Sequence, residues 1–129
     1  MADCVIDASA ILAILFDEPG RGVALQYVSG AAVSTVTVAE VATRLADDGQ
    51  DDADIREVVN GFAFEVHVFD GNEAFACAAL RSSTRAKGLS LGDRACLALA
   101  KRLALPAVTA DRAWSDVADA AGVTIHHIR

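Results

Sequence analysis

The chain has 129 residues, of which 53% are hydrophobic, and its formal net charge at pH 7 is −7. This length suits one domain around one core, and this hydrophobic content excludes a disordered chain. The longest apolar run, residues 8–16, is too short to span a bilayer, and it lacks the preceding basic residues of a secretory signal peptide.

The hydrophobic periodicity predicts strands that alternate with helices along the chain. The predicted strands are residues 3–7, 32–36, 64–69, 106–109 and 123–128. The predicted helices are residues 8–17, 21–29, 38–47, 52–62, 72–87, 91–104 and 112–120. This alternation is typical of an α/β fold with a mostly parallel sheet, and no linker or repeat divides residues 1–129 into further domains.

Charge and cysteine usage limit the environment in which the protein works. Residues 47–57 hold six acids and one arginine, a net −5, and we interpret them as a solvated connection between helices. Because so much of the negative charge is local, the total does not exclude a nucleic-acid substrate. The three cysteines stand singly in apolar stretches, which indicates buried thiols in a reduced cytoplasm.

Acidic residues stand where apolar runs give way to helices. They are Asp7, Glu40, Asp93 and Asp111. In an open α/β sheet the strand ends converge on one edge, so acids that are far apart in sequence can meet there. Clustered carboxylates repel one another unless a positive charge joins them, and a hard divalent cation is the usual one. The pattern therefore predicts metal-dependent chemistry on phosphates.

Each of these acids also has an ordinary structural explanation as a helix cap. Segments 37–40 and 90–93 have the spacing of a capping box, with Thr37 as the N-cap of the first. Asp7 and Asp111 precede predicted helices that their side chains could cap. Capping does not exclude function, because an acid held in the first helical turn is also a well-oriented metal ligand.

Short blocks around the acids resemble the PIN-domain ribonucleases, and in particular the VapC-type toxins of bacterial and archaeal toxin–antitoxin modules. The blocks are VIDASA at 5–10, VAE at 38–40, LSLGDR at 89–94 and VTAD at 108–111. Their order and spacing extend the resemblance over essentially the whole chain. It implies a PIN-like fold, with a twisted, mostly parallel sheet flanked by helices.

The resemblance also implies an endoribonuclease that uses Mg²⁺ or Mn²⁺ and cleaves RNA phosphodiesters with a metal-activated water. The implied metal-binding and catalytic acids are Asp7, Glu40, Asp93 and Asp111, with Asp116 as a further acid in some members. The implied partners are a second copy of the chain and a small VapB-type antitoxin, whose tail would cross the acidic pocket.

Four polar residues beside the acids are candidates for supporting roles. We expect Ser9 and Thr109 to orient carboxylates, waters or phosphate, although ordinary turn and strand hydroxyls explain them equally. Arg94 and Arg112 adjoin site acids and could contact phosphate oxygens, or could simply carry surface charge.

Three other classes of protein are alternatives to the ribonuclease. A response-regulator receiver domain needs a lysine after a late strand, whereas Lys87 and Lys101 lie in predicted helices. A haloacid-dehalogenase-like phosphatase needs a second aspartate where Ser9 stands. A catalytically silent PIN-like domain that binds RNA or a partner remains the main alternative, although all four acids are present.

Overall fold

A computed structural model describes residues 1–129, and its centre is a five-stranded sheet. The strands are β1 Val5–Ile6, β2 Ala32–Ser34, β3 Glu65–His67, β4 Ala107–Thr109 and β5 Ile125–His127. Every neighbouring pair is parallel, and the strand order is β3-β2-β1-β4-β5. The predicted α/β class with a parallel sheet is confirmed.

Helices cover both faces of this sheet. They are α1 Ala8–Leu15, α2 Arg21–Leu25, α3 Thr35–Asp47, α4 Asp52–Asn60, α5 Gly71–Ala79, α6 Arg81–Thr84, α7 Leu91–Leu103 and α8 Ala118–Ala121. Two 3₁₀ helices, Arg85–Lys87 and Arg112–Asp116, complete the structure. No helix combines the length and the apolar character needed to cross a bilayer.

The hydrophobic core consists of two clusters, one on each face of the sheet. Successive strand residues alternate between them, so Ile6 packs in the cluster with α1 and α3, whereas Val5 packs in the cluster with α7. Both residues are fully buried, as expected for a parallel strand covered on both sides. The three cysteines are buried free thiols, as predicted.

The strand order places a topological switch point between β1 and β4. From β1 the chain moves to β2 and β3 on one side, whereas β4 and β5 lie on the other. Hydrogen bonding between β1 and β4 continues past the end of β1, where the Asp7 N–H donates to the Val108 carbonyl at 2.9 Å. Ligands of open α/β folds bind at such points, outside the carboxyl ends of the strands. Asp7 and Thr109 lie at this position.

The start of α3 differs from the prediction. Helix α3 begins at Thr35, and Ser34 is its N-cap, with its hydroxyl accepting a hydrogen bond from the Val36 N–H at 3.1 Å. The capping box predicted for Thr37 and Glu40 is therefore wrong, because Ser34 caps the helix three residues earlier. Thr37 lies inside the helix, fully buried, and its hydroxyl has no hydrogen-bond partner.

Two predicted helices are interrupted where hydroxyl side chains bond to nearby carbonyls. The helix predicted at 72–87 ends at Ala79, and Thr84 donates from its hydroxyl to the Leu80 carbonyl at 2.8 Å. The helix predicted at 112–120 begins as a 3₁₀ helix, in which the Ser115 hydroxyl donates to the Arg112 carbonyl at 2.7 Å. Such bonds compete with the regular helical ladder, which explains the shorter elements.

Candidate active site

Three of the four predicted acids lie together at the carboxyl edge of the sheet. Asp7 follows β1, Glu40 is in the second turn of α3, and Asp93 is in the first turn of α7. Their charges act on one another, because Asp93 raises the pKa of Asp7, and both aspartates raise the pKa of Glu40. Elements that are separated along the chain thus form one acidic pocket, which we define as Asp7, Glu40 and Asp93.

Asp7 is held by two hydroxyl groups. It occupies the N-cap position of α1, but its side chain makes no capping hydrogen bond, so that predicted capping role is wrong. Its Oδ2 atom instead accepts from the Ser9 hydroxyl at 2.6 Å and from the Thr109 hydroxyl at 2.9 Å. Each hydroxyl in turn accepts a hydrogen bond from the backbone. The Ser9 hydroxyl accepts from the Ala110 N–H at 2.9 Å, and the Thr109 hydroxyl accepts from the Asp111 N–H at 3.0 Å.

Both hydroxyl donors of this network bind the same oxygen of Asp7. A hydroxyl has one proton, so a Ser9 or Thr109 hydroxyl that donates to Asp7 cannot also donate to its neighbour. The 3.2 Å approach between the two hydroxyls is therefore a contact within the network and not a further hydrogen bond. The Oδ1 atom of Asp7 receives neither hydroxyl.

In Asp93 and in Asp111, one carboxylate oxygen accepts a backbone hydrogen bond and the other accepts none. Asp93 accepts from the Ser90 N–H at 2.9 Å and returns its own N–H to the Ser90 hydroxyl at 3.1 Å, which confirms the predicted capping box. Asp111 caps the 3₁₀ helix that follows it by accepting from the Ala113 N–H at 2.9 Å, as predicted. Capping orients each carboxylate and leaves one oxygen free for a ligand.

Glu40 is held less firmly than the aspartates. Much of the residue is exposed, but its carboxyl group lies against Gly92, which immediately precedes Asp93. Partial burial there, together with the charges of Asp7 and Asp93, raises the pKa of Glu40 to about 7. The carboxyl group makes no hydrogen bond or salt bridge, so packing alone places it in the pocket.

Asp7 also titrates close to neutral pH. Burial raises its pKa to about 6 and the charge of Asp93 adds to the rise, while the hydrogen bonds from Ser9 and Thr109 oppose it. The salt bridges of the molecule all lie outside the pocket. Since no basic side chain neutralises these carboxylates, the pocket favours an added positive charge.

The donor atoms suit a hard divalent cation. The available ligands are carboxylate oxygens, which Mg²⁺ and Mn²⁺ prefer, and a Mg²⁺ ion bound through one or two carboxylates keeps several waters. No three His, Cys, Asp or Glu side chains converge closely enough to form a ready-made cage. The residues therefore fit a water-rich cation by their chemistry and charge rather than by a closed set of protein ligands.

Neither Asp111 nor Asp116 is among the acids whose charges act on Asp7 and Glu40. Asp111 lies at the end of β4 and acts on His127, raising that residue's pKa against the larger lowering effects of burial and Arg112. Asp116 forms a salt bridge with Lys87 at 3.2 Å, and both side chains are exposed. For both acids the metal-binding role stays a prediction.

The two arginines are placed differently from each other. Arg94 donates to the Cys77 carbonyl at 3.2 Å, and its buried Nε atom has no partner, so its guanidinium faces α5. Arg112 is exposed beside Asp111 at the end of the sheet. A phosphate-binding role therefore suits the position of Arg112 better than that of Arg94, and for both it stays a prediction.

Two residues beside the acidic pocket, Gly92 and Cys96, were not predicted from the sequence. Gly92 contacts Glu40, as described above, and Cys96 lies one turn after Asp93 on the buried side of α7. Burial and the nearby acids raise the pKa of the Cys96 thiol well above its ordinary value, so the thiol stays neutral. The only sequence signal for Cys96 was its spacing of three from Asp93, which puts both on neighbouring turns.

Replacing Thr109 with valine should destabilise the protein, because the change removes a buried donor to Asp7 and the acceptor of the Asp111 N–H. We expect the free energy of unfolding to fall by about 1–3 kcal/mol, measured by urea denaturation at pH 8. Thr109→Ser keeps the hydroxyl and is the matched control. Valine keeps the γ-methyl group of threonine, so a loss in Thr109→Val reports the hydroxyl, and an unchanged free energy of unfolding in Thr109→Val would contradict the role of the network.

Fold and site together define a parallel α/β domain with an acidic pocket at its topological switch point. The sequence matches the PIN domain family over residues 4–120, and the chain belongs to that family. No curated protein matches the chain.

Several solved structures are similar to the chain over nearly its whole length. DNA-bound VapBC from Salmonella typhimurium is 20% identical, with a TM-score of 0.74 and coverage of 100% of both chains. A toxin–antitoxin complex from Klebsiella pneumoniae is 17% identical, with a TM-score of 0.75 and coverage of 98% of both. FitAcB from Neisseria gonorrhoeae is 21% identical, with a TM-score of 0.68 and coverage of 97% of both. At these identities the likeness shows a shared fold.

Proposed function

We propose that the protein is a divalent-metal-dependent endoribonuclease that acts as the toxin of a toxin–antitoxin pair. The observation that carries the proposal is the acidic pocket: three carboxylates act on one another at the sheet edge, and no basic side chain neutralises them. The PIN-domain family membership supports the same function.

The protein would contribute oriented carboxylate oxygens to hold the cation. Asp7 and Asp93 would be the firmest ligands, because hydroxyl or backbone donors fix the orientation of each carboxylate. Glu40 would be a more mobile third ligand, and Asp111 a fourth that acts through water. A bound Mg²⁺ or Mn²⁺ would supply Lewis acidity toward a water and toward the scissile phosphate.

The residues around the ligands have separate tasks in this proposal. Ser9 and Thr109 hold the orientation of Asp7 and lower its pKa, which favours the ionised form that a cation needs. Arg112, exposed beside Asp111, would contact a phosphate oxygen of the RNA.

The toxin assignment rests on the solved structures with the same fold. The Klebsiella structure is a toxin–antitoxin complex, and it, DNA-bound VapBC and FitAcB match over nearly the full length of both chains. A VapB-type antitoxin could inhibit the enzyme by placing a basic side chain among the carboxylates, since a guanidinium pairs well with them. We also propose that the toxin is a homodimer in the cytoplasm.

Cleavage of total RNA by the purified protein tests the enzymatic part of the proposal. We expect fragments in the presence of Mn²⁺ or Mg²⁺, no fragments with excess EDTA, and recovery when the cation is restored. RNA that is bound but never cut, with any divalent cation, would favour the catalytically silent alternative. Cleavage that continues in EDTA would overturn the metal-dependent mechanism.

A further inference from the structure

Gly92 leaves room for the carboxyl group of Glu40. A β-carbon built at Gly92 would lie 2.5 Å from Glu40 Oε1 and 2.6 Å from both Cδ and Oε2. These separations are shorter than any van der Waals contact, and all three atoms belong to the same carboxyl group. Gly92 is buried in the first turn of α7, immediately before Asp93.

The backbone gives no other reason for a glycine at this position. Gly92 is absent from the residues with positive φ, and it lies within a regular α-helix. Glycine inside a helix costs about 1 kcal/mol relative to alanine, so an alanine would favour α7 if its β-carbon could fit. The contact with Glu40 is therefore the feature that accounts for this glycine.

We infer that Gly92 is a positioning residue, which holds a place for the Glu40 carboxyl group beside Asp93 and Asp7. Glu40 makes no hydrogen bond and no salt bridge, so only packing determines where its carboxyl group lies. Much of Glu40 is exposed, and a methyl group at position 92 would push the carboxyl group outward into solvent. The helix would survive, while the pocket would lose its third carboxylate.

This inference rests on the divalent-cation binding in the proposed function, but not on RNA cleavage. Gly92→Ala should lower Mn²⁺ affinity by about 10–100-fold, the range for residues that orient metal ligands. Gly22→Ala is the matched control, because Gly22 also lies in a helix with φ outside the positive range, and a β-carbon added there would have no atom within 4 Å. It should bind Mn²⁺ as the natural protein does.

A double-mutant cycle separates positioning of Glu40 from a general disturbance of the pocket. Glu40→Ala removes the ligand that Gly92 is inferred to place, so adding Gly92→Ala to that variant should not weaken Mn²⁺ binding further. Isothermal titration calorimetry gives the affinities, and thermal unfolding of the metal-free proteins shows whether each variant folds. Equal losses from Gly92→Ala in both backgrounds, or no loss in either, would overturn the inference.

A crystal structure of metal-free Gly92→Ala gives a readout that needs neither metal nor RNA. We expect the Glu40 carboxyl group to have left the surface of α7, and a carboxyl group still packed on residue 92 would overturn the inference. Failure of the natural protein to bind Mn²⁺ would instead contradict the proposed function, while the crystal structure would still decide the role of Gly92.

Discussion

Asp7→Asn is expected to abolish divalent-dependent RNA cleavage, with a loss of at least about 100-fold, or about 2.7 kcal/mol of transition-state stabilisation. The substitution removes the negative charge and replaces one carboxylate oxygen with an amide nitrogen, which cannot bind a cation. The remaining amide oxygen can still accept from the Ser9 and Thr109 hydroxyls, so the junction of β1 and β4 is preserved. Initial cleavage rates of a labelled RNA at saturating Mn²⁺ measure the loss.

The fold of this variant should be retained, and its stability at pH 8 should not fall. Burial makes ionisation of Asp7 unfavourable, as its raised pKa shows, and asparagine removes that charge. Asp119→Asn, an exposed aspartate on α8 outside the pocket, is the matched control and should cleave normally. Full activity in Asp7→Asn would contradict the ligand assignment, and an unfolded variant would show that Asp7 is needed mainly for structure.

The sequence predicted that Asp7, Glu40 and Asp93 come together, but it predicted the local structure around them less well. Asp7 and Asp93 could be placed because each stands at the start of a helix at one edge of an α/β sheet. The Ser90–Asp93 capping box could be predicted because its contacts lie within four residues. The same reasoning failed at Thr37, where the cap depends on how far β2 extends, and Ser34 ends that strand earlier than its β-branched neighbours suggested.

Long-range contacts were predicted only in part, because Ser9 and Thr109 were expected to orient carboxylates, but the sequence did not show which carboxylate Thr109 would meet. The Thr109 hydroxyl reaches Asp7 across 102 positions, and this contact exists only because β4 lies beside β1. The position of Gly92 against Glu40 likewise depends on the packing of α7 against α3. A glycine in a helical stretch predicts a weaker helix, and nothing in its sequence neighbourhood reveals a carboxyl group from another element.

The raised pKa values of Asp7 and Glu40 fix the direction in which pH changes stability. Between about pH 4 and pH 7 the folded metal-free protein holds more protons on these groups than the unfolded chain, because their folded pKa values are about 6 and about 7. Their contribution to stability therefore falls as pH rises through this range, and the destabilisation is complete above pH 7. A divalent cation must displace the same protons, so its affinity should change in the opposite direction.

Mn²⁺ should consequently raise the melting temperature strongly at pH 8 and weakly at pH 5.5. At 100 times its dissociation constant a ligand adds about 2.7 kcal/mol, which corresponds to a rise of roughly 10 °C for a domain of this size. At pH 5.5 protonation of Asp7 and Glu40 competes with the cation and reduces the gain. Thermal unfolding with and without Mn²⁺ at both pH values measures it, with Asp7→Asn/Glu40→Gln as the control that should show no gain at either. Equal gains at both pH values would contradict cation binding by groups that titrate in this range, because such ligands make its affinity depend on pH there.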